Sequence, residues 1–184
     1  LTHVNPHTGR SWGEEPALGW ISLINEGNLG NYWSLIRKLP AWPAAWNARL
    51  AGQYGTREAL AAAWGDELKA GEDPARGTVA MPENLDEPTR RARDAVCFLS
   101  AMEQKQAERM IGFLRQELGV KALLTNMNGW SNRVTDQEAR WLFDYVDDHF
   151  YVDHPQFIEK PWRLPSRCNN HSPFPDGATG GLHV

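Results

Sequence analysis

Asn25 and Glu26 close a short apolar run, Leu18-Gly19-Trp20-Ile21-Ser22-Leu23-Ile24, and Gly27 follows at once. A carboxylic acid beside an amide donor at the end of a rigid strand is a suitable proton donor for an acetal oxygen. The same pair also fits a solvated loop opening after a strand, because two-residue motifs match often by chance. A second polar group, Asn126-Met127-Asn128-Gly129-Trp130-Ser131-Asn132, follows the apolar stretch 120–125. Its asparagines donate and accept hydrogen bonds, and Trp130 offers a flat stacking face. Asn-Gly is equally a turn signal. The third group is denser: Asp147, Asp148, His149, Tyr151, Asp153 and His154 fall within eight residues. An Asp/His cluster has the composition of a metal site, yet along a strand its members alternate between two faces. His149 and Tyr151 share a face, so a His-x-Tyr pair turned into a site is the more economical reading.

These groups need elements to hold them. The run 18–24 is long enough for a buried parallel strand and too short for a typical helix. Stretches 120–125 and 143–151 read as a second and a third strand. Tyr32, Trp33, Leu35, Ile36 and Leu39 suggest a short helix ended by Pro40. Trp46, Leu50 and Tyr54 recur at helical spacing before Gly55, and Thr56 can cap a further helix carrying Leu60, Ala63 and Trp64. Residues 69–84 read as an exposed loop. The clearest helix spans 86–118, with Pro88 in its first turn behind Asp86. Val96, Leu99, Met110, Leu114 and Leu118 lie on its apolar face, widened by Ala92, Ala95 and Phe113. Gly119 is the expected C-cap, and a strand follows directly. That handover is the sequence form of one βα unit passing to the next. Residues 135–141 fit a short capped helix, and the tail from Pro155 lacks helix or strand periodicity. The first 17 residues are rich in turn formers such as Asn5-Pro6 and Thr8-Gly9. His3 and His7 there could touch a site or simply be solvated.

Bulk properties narrow the classes. At 184 residues the chain suits one ordinary core or part of a larger domain. A formal net charge of -4 gives no electrostatic footprint for nucleic acid or an anionic membrane. No apolar run reaches membrane-spanning length, and no basic segment leads into an apolar signal core. The sequence starts at Leu1 in what reads as a loop, so this start is expected not to be the natural one. Cys97 and Cys168 lack metal-type spacing, and buried or incidental thiols are preferred over a disulfide. The nine tryptophans fit either bulky core packing or sugar-stacking platforms.

With these residues in order, the chain resembles the (β/α)8 glycoside hydrolases of the large retaining clan that includes cellulases, mannanases and β-galactosidases. Asn25-Glu26 matches the Asn-Glu that ends the clan's fourth strand, approached by Asn5-Pro6-His7-Thr8-Gly9 and Glu15-Pro16-Ala17-Leu18. His149-Phe150-Tyr151 matches the His-x-Tyr of the sixth strand in cellulase-like members. The segment from Trp46-Asn47-Ala48-Arg49 through Ala63-Trp64-Gly65 is similar to an insertion common after the fourth strand. The resemblance implies an α/β fold, a partial TIM barrel made of strands four to six. Residues 1–184 would then be part of a single catalytic domain, with a helical insertion at about 31–84.

The resemblance also implies roles. Glu26 would be the general acid/base, and Asn25, Asn126, Asn128, Trp130, His149 and Tyr151 would bind substrate. Neither metal nor organic cofactor is implied. The nucleophile, a second Glu at the end of strand seven, is expected beyond Val184. Glu159 follows the third strand too closely for a crossover helix to intervene, so it does not fit that role. The implied partners are an oligosaccharide or polysaccharide and the remaining part of the barrel, with no nucleic acid and no membrane. The compartment stays unassigned, a secreted or periplasmic one being compatible. Two other classes stay open. One is a non-catalytic carbohydrate-binding barrel protein or fragment. The other is a metal-dependent α/β hydrolase using Asp147, Asp148, His149 and His154.

Overall fold

A computed structural model describes residues 1–26, 28–126, 134–147 and 156–167. Strand β1, Trp20–Ser22, falls inside the opening apolar run, and β2, Leu123–Thr125, inside the second. They pair in parallel, with Trp20 opposite Leu123, Ile21 opposite Leu124 and Ser22 opposite Thr125. Parallel strands need a long crossover, and helices α1 to α4 all lie within it. The described residues are thus a β–helical–β unit of mixed α/β type. Both strands are shorter than their apolar runs, and no closed barrel occurs among the described residues.

The sheet's two faces differ. Ile21, Leu23 and Leu124 pack on Leu114, Val120 and Ala122 beneath the end of the long helix. On the other face Trp20 and Leu123 stay 66% and 52% exposed.

Helix α1, Trp33–Ile36, is one turn. Helix α2, Ala41–Tyr54, starts at Pro40 and stops at Gly55, whose φ of 75° suits a residue without a Cβ. Helix α3, Arg57–Trp64, is capped by Thr56, whose hydroxyl accepts the Ala59 N–H at 3.1 Å. Helix α4, Arg90–Gly112, begins four residues later than the sequence predicts. Thr89 is the true cap, its hydroxyl accepting the Ala92 N–H at 3.0 Å. The Glu67 carboxylate adds to it by accepting the N–H groups of Arg90 and Arg91 at 3.0 and 2.9 Å. A negative charge there also opposes the positive end of the helix dipole.

The helix then changes pitch. Residues Phe113–Glu117 form a π turn before Gly119, which takes the positive φ expected of a C-cap. A wider turn puts a 3.6-residue stripe out of phase. Phe113, predicted to widen the buried face, is accordingly 47% exposed, while Phe98 is buried at 2%.

Most buried tryptophan is core. Trp46 stacks on Trp64 at 6.2 Å and meets Phe98 edge-on at 5.7 Å. Trp33 is also buried, its indole N–H donating to the Pro82 carbonyl at 3.0 Å. Trp12, Trp20, Trp141 and Trp162 remain exposed.

Two expectations need correction. Residues 69–84 are not a free loop, because Glu72, Pro74, Val79 and Pro82 are buried. Glu72 accepts N–H groups from Lys69 and Ala80 and pairs with Arg91 of α4, which nails the segment to the core. The described part of the predicted third strand, 143–147, forms bends. It still runs along the edge of β2 away from β1. The Asp144 N–H donates to the Leu124 carbonyl at 3.1 Å. In return the Leu124 N–H donates to the Asp144 carboxylate at 2.6 Å, and Arg115 holds that carboxylate at 2.5 Å. A side-chain acceptor has taken the place of a ladder carbonyl, which breaks the strand geometry.

Residues Val134–Leu142 form a 3-10 helix against α4, where Ser100 donates to the Glu138 carboxylate. In the tail, β3, Gln156–Phe157, and β4, Ser166–Arg167, make a small antiparallel ribbon where the sequence predicts only loop. Glu159 sits exposed in its connecting loop.

Candidate active site

In a parallel sheet both strands deliver their C-terminal ends to one side. Here that side carries Glu26, four residues past β1, and Asn126, directly after β2. Both line a cavity of about 320 Å³ roofed by α1 and α4. That volume lies at the lower end of small-ligand pockets, about 300–1,000 Å³. Its walls are mainly apolar, from Ile24, Leu29 and Tyr32 on one side to Ala107 and Met110 of α4 on the other.

The backbone at Glu26 is unusual. Its φ of 46° lies in the left-handed region, which a side chain with a Cβ seldom adopts. Such a conformation costs about 1–3 kcal/mol and concentrates at functional positions. The turn lets Glu26 line the cavity while Asn25, one residue earlier, is exposed and does not.

Two buried polar residues of the lining, Asn28 and Glu103, have no assigned role in the sequence. Asn28 is 7% exposed and caps the turn that leads into α1, its Oδ1 accepting the Asn31 N–H at 3.1 Å. Glu103 projects from the middle of α4, 8% exposed, and accepts the Leu29 N–H at 2.5 Å. It thereby ties the segment bearing Glu26 and Asn28 to the long helix. A signal for Glu103 exists in the sequence: it follows Leu99 by four residues and precedes Met110 by seven. A charge inside an apolar helical stripe is the kind of polar burial that calls for explanation.

Asn28 Nδ2 and Asn126 Oδ1 are buried without a hydrogen-bond partner among the described residues. Each such group costs about 1–3 kcal/mol unless something meets it. Both atoms are closed to the cavity as well as to solvent, and the cavity wall is almost wholly apolar.

The other expected site residues fall elsewhere. Asn128, Trp130, His149 and Tyr151 lie outside the described residues, as do Asp148 and His154 of the proposed metal cluster. Among the described residues no three acidic, histidine or cysteine side chains converge on a possible metal site. Asp147 is described, and its backbone carbonyl accepts a hydrogen bond from the buried Arg140 at 2.9 Å. His3 lies edge-on to Trp12 at 6.4 Å, and neither His3 nor His7 lines the cavity. Cys97 is an exposed free thiol on α4. No described helix is long and apolar enough to cross a membrane.

No family model, curated protein or solved structure matches this chain. What the site does must be argued from its own groups. A carboxylate just past a strand end beside a mainly apolar pocket of this size is suited to a small, largely apolar guest.

Proposed function

We propose that the chain is the central portion of a retaining β-glycoside hydrolase, its β1, β2 and following segment being strands four to six of a barrel. The observation that carries this reading is that Glu26 and Asn126, from the ends of adjacent parallel strands, line the same cavity. The ordered motifs Asn25-Glu26 and His149-Phe150-Tyr151 support it from the sequence. So does the position of 143–147 beside β2, on the edge opposite β1.

In this reading Glu26 protonates the glycosidic oxygen as the bond to the sugar breaks, then activates water to release the glycosyl-enzyme. The nucleophile comes from a later strand. Asn25, expected from the sequence to hold the sugar 2-hydroxyl, lies outside the cavity that Glu26 lines and takes no part in this step. His149 and Tyr151 orient the nucleophile, and Trp130 with Asn126 or Asn128 walls a subsite.

Replacing Glu26 with Gln keeps shape and removes the proton. In the full-length protein, turnover of methyl β-glycosides is expected to fall by about 10²–10⁴-fold. Aryl glycosides with good leaving groups need no protonation at cleavage, so release of the first aryl equivalent should persist. Equal activity of Glu26→Gln and wild type on methyl glycosides would remove Glu26 from the chemistry. Saturable sugar binding with no turnover in the wild type would instead favour a carbohydrate-binding protein.

A further inference from the structure

We infer that Glu103 is a positioning residue for Glu26: its carboxylate reaches across from α4, clamps the chain just past Glu26 and so fixes the turn that sets Glu26 at the cavity wall. The positive φ of Glu26 is unfavourable by itself and persists only where the surroundings hold it. Contacts with two distant elements flank it. Three residues before Glu26, the Leu23 N–H donates to the Thr125 carbonyl of β2 at 3.0 Å. Three residues after it, the Leu29 N–H donates to the Glu103 carboxylate at 2.5 Å. A hydrogen bond to an ionised acceptor is about twice as strong as one between neutral groups. The acceptor is also well anchored. Glu103 is 8% exposed in the middle of a 23-residue helix, which Arg91 ties to Glu72 and Ser100 ties to Glu138. A group carried by such an element holds its partner more closely than a loop residue would.

The clamp continues beyond Leu29. The Tyr32 N–H donates to the Leu29 carbonyl at 3.1 Å, and Asn28 Oδ1 accepts the Asn31 N–H at 3.1 Å. The turn leading into α1 is thus built on the peptide that Glu103 fixes. The consequence for catalysis rests on the reading of Glu26 as the acid/base. The clamp itself does not.

The test compares Glu103→Leu, which removes the acceptor, with Glu103→Gln, which keeps an acceptor oxygen in nearly the same shape. In the full-length protein Glu103→Leu should lower kcat for methyl β-glycosides by about 10²-fold, the scale of a reacting group misplaced by about 1 Å. Release of the first aryl equivalent from an activated aryl β-glycoside needs no acid and should stay near the wild-type rate. Glu103→Gln should recover at least about tenfold of the loss, because a neutral acceptor keeps about half the strength of the bond. A merely structural role would lower both rates in the same proportion, since both scale with the folded fraction. Equal loss on the two substrates, or a Glu103→Gln no better than Glu103→Leu, would overturn the inference.

Amide hydrogen exchange, read on peptides covering 24–31, needs no substrate and serves even if Glu103→Leu fails to fold. Exchange there should quicken in Glu103→Gln, and by at least about tenfold in Glu103→Leu, while β2 and α2 keep their wild-type rates. Exchange unchanged at 24–31, or raised equally along the chain, would overturn the clamp. The same data separate this inference from the hydrolase reading. Methyl-glycoside turnover unchanged in Glu26→Gln, with faster exchange at 24–31 in Glu103→Leu, overturns the hydrolase reading and leaves the clamp standing. Turnover lost in Glu26→Gln but kept in Glu103→Leu, with exchange unchanged, overturns the clamp alone.

Discussion

Replacing Arg91 with Met is expected to destabilise the fold by about 3–5 kcal/mol, the cost of stranding a buried partner charge. The partner is Glu72, with the two side chains 12% and 9% exposed. Both guanidinium nitrogens engage it, at 2.7 and 2.6 Å, and the same nitrogens donate to the carbonyls of Ala80 and Glu67. The guanidinium also lies over the Trp64 ring at 4.8 Å. One side chain thus joins α4, the end of α3 and the 69–84 segment. Lysine offers a point charge without the planar fork, so Arg91→Lys should recover only part of the loss. Urea titration at pH 7 measures both. A loss below about 1 kcal/mol in Arg91→Met, the range of exposed pairs, would show that solvent reaches this site.

The same pair sets an acid sensitivity. Burial pushes the Glu72 carboxyl up, but hydrogen bonds from Arg91, Lys69 and Ala80 outweigh it and hold the group below its ordinary value of 4.5. A carboxyl depressed on folding stabilises the fold above its unfolded pKa and loses that contribution as pH falls through the folded one. Wild-type stability should therefore decline from about pH 4.5 downward. In Arg91→Met the largest opposing hydrogen bond is gone, so the Glu72 contribution shrinks and the acid-dependent decline should be shallower than in the wild type, as urea titrations at a series of pH values would show.

Trp46→Ala is expected to cost about 3–5 kcal/mol, the range for deleting a buried aromatic ring. Trp46 is fully buried, and its ring supports Trp64 and Phe98 together. Its indole N–H has no partner among the described residues, so Trp46→Phe discards an unmet donor along with the second ring. That variant should cost less than half as much. Thermal denaturation of both variants checks the order. A milder effect from Ala than from Phe would mean that the core around α2 and α3 is loosely packed.

The contrast between what the sequence disclosed and what it hid follows the range of the forces. β1, β2, α3 and the body of α4 were readable because apolar runs, the Thr56 cap and Gly119 act over a few residues, while the Thr89 cap of α4 was missed. The positions of Glu26 and Asn126 past the strand ends were readable for the same reason, each following an apolar run. The burial of Asn28 and the partner of Glu103 became visible only in three dimensions, since the hydrogen bond between Leu29 and Glu103 spans 74 residues. The Glu72–Arg91 pair is similarly non-local and turned a polar, Gly/Pro-punctuated stretch from loop into core lid. The third strand failed for a chemical reason: Asp144 carries an acceptor on a short side chain that competes with its own backbone for Leu124. The tryptophan excess had two readings, and Trp33, Trp46 and Trp64 answer for packing.

The most direct test of the central claim is azide rescue of Glu26→Ala in the full-length protein, with an activated aryl β-glycoside as substrate. Removing an acid/base carboxylate leaves the glycosyl-enzyme without a base for water and opens room for a small anionic nucleophile. Azide needs no deprotonation and attacks from the same face as water would. The account expects azide to accelerate turnover and the product to be the β-glycosyl azide, identified by NMR. Turnover indifferent to azide, or an α-glycosyl azide product, would contradict Glu26 as the acid/base of a retaining hydrolase.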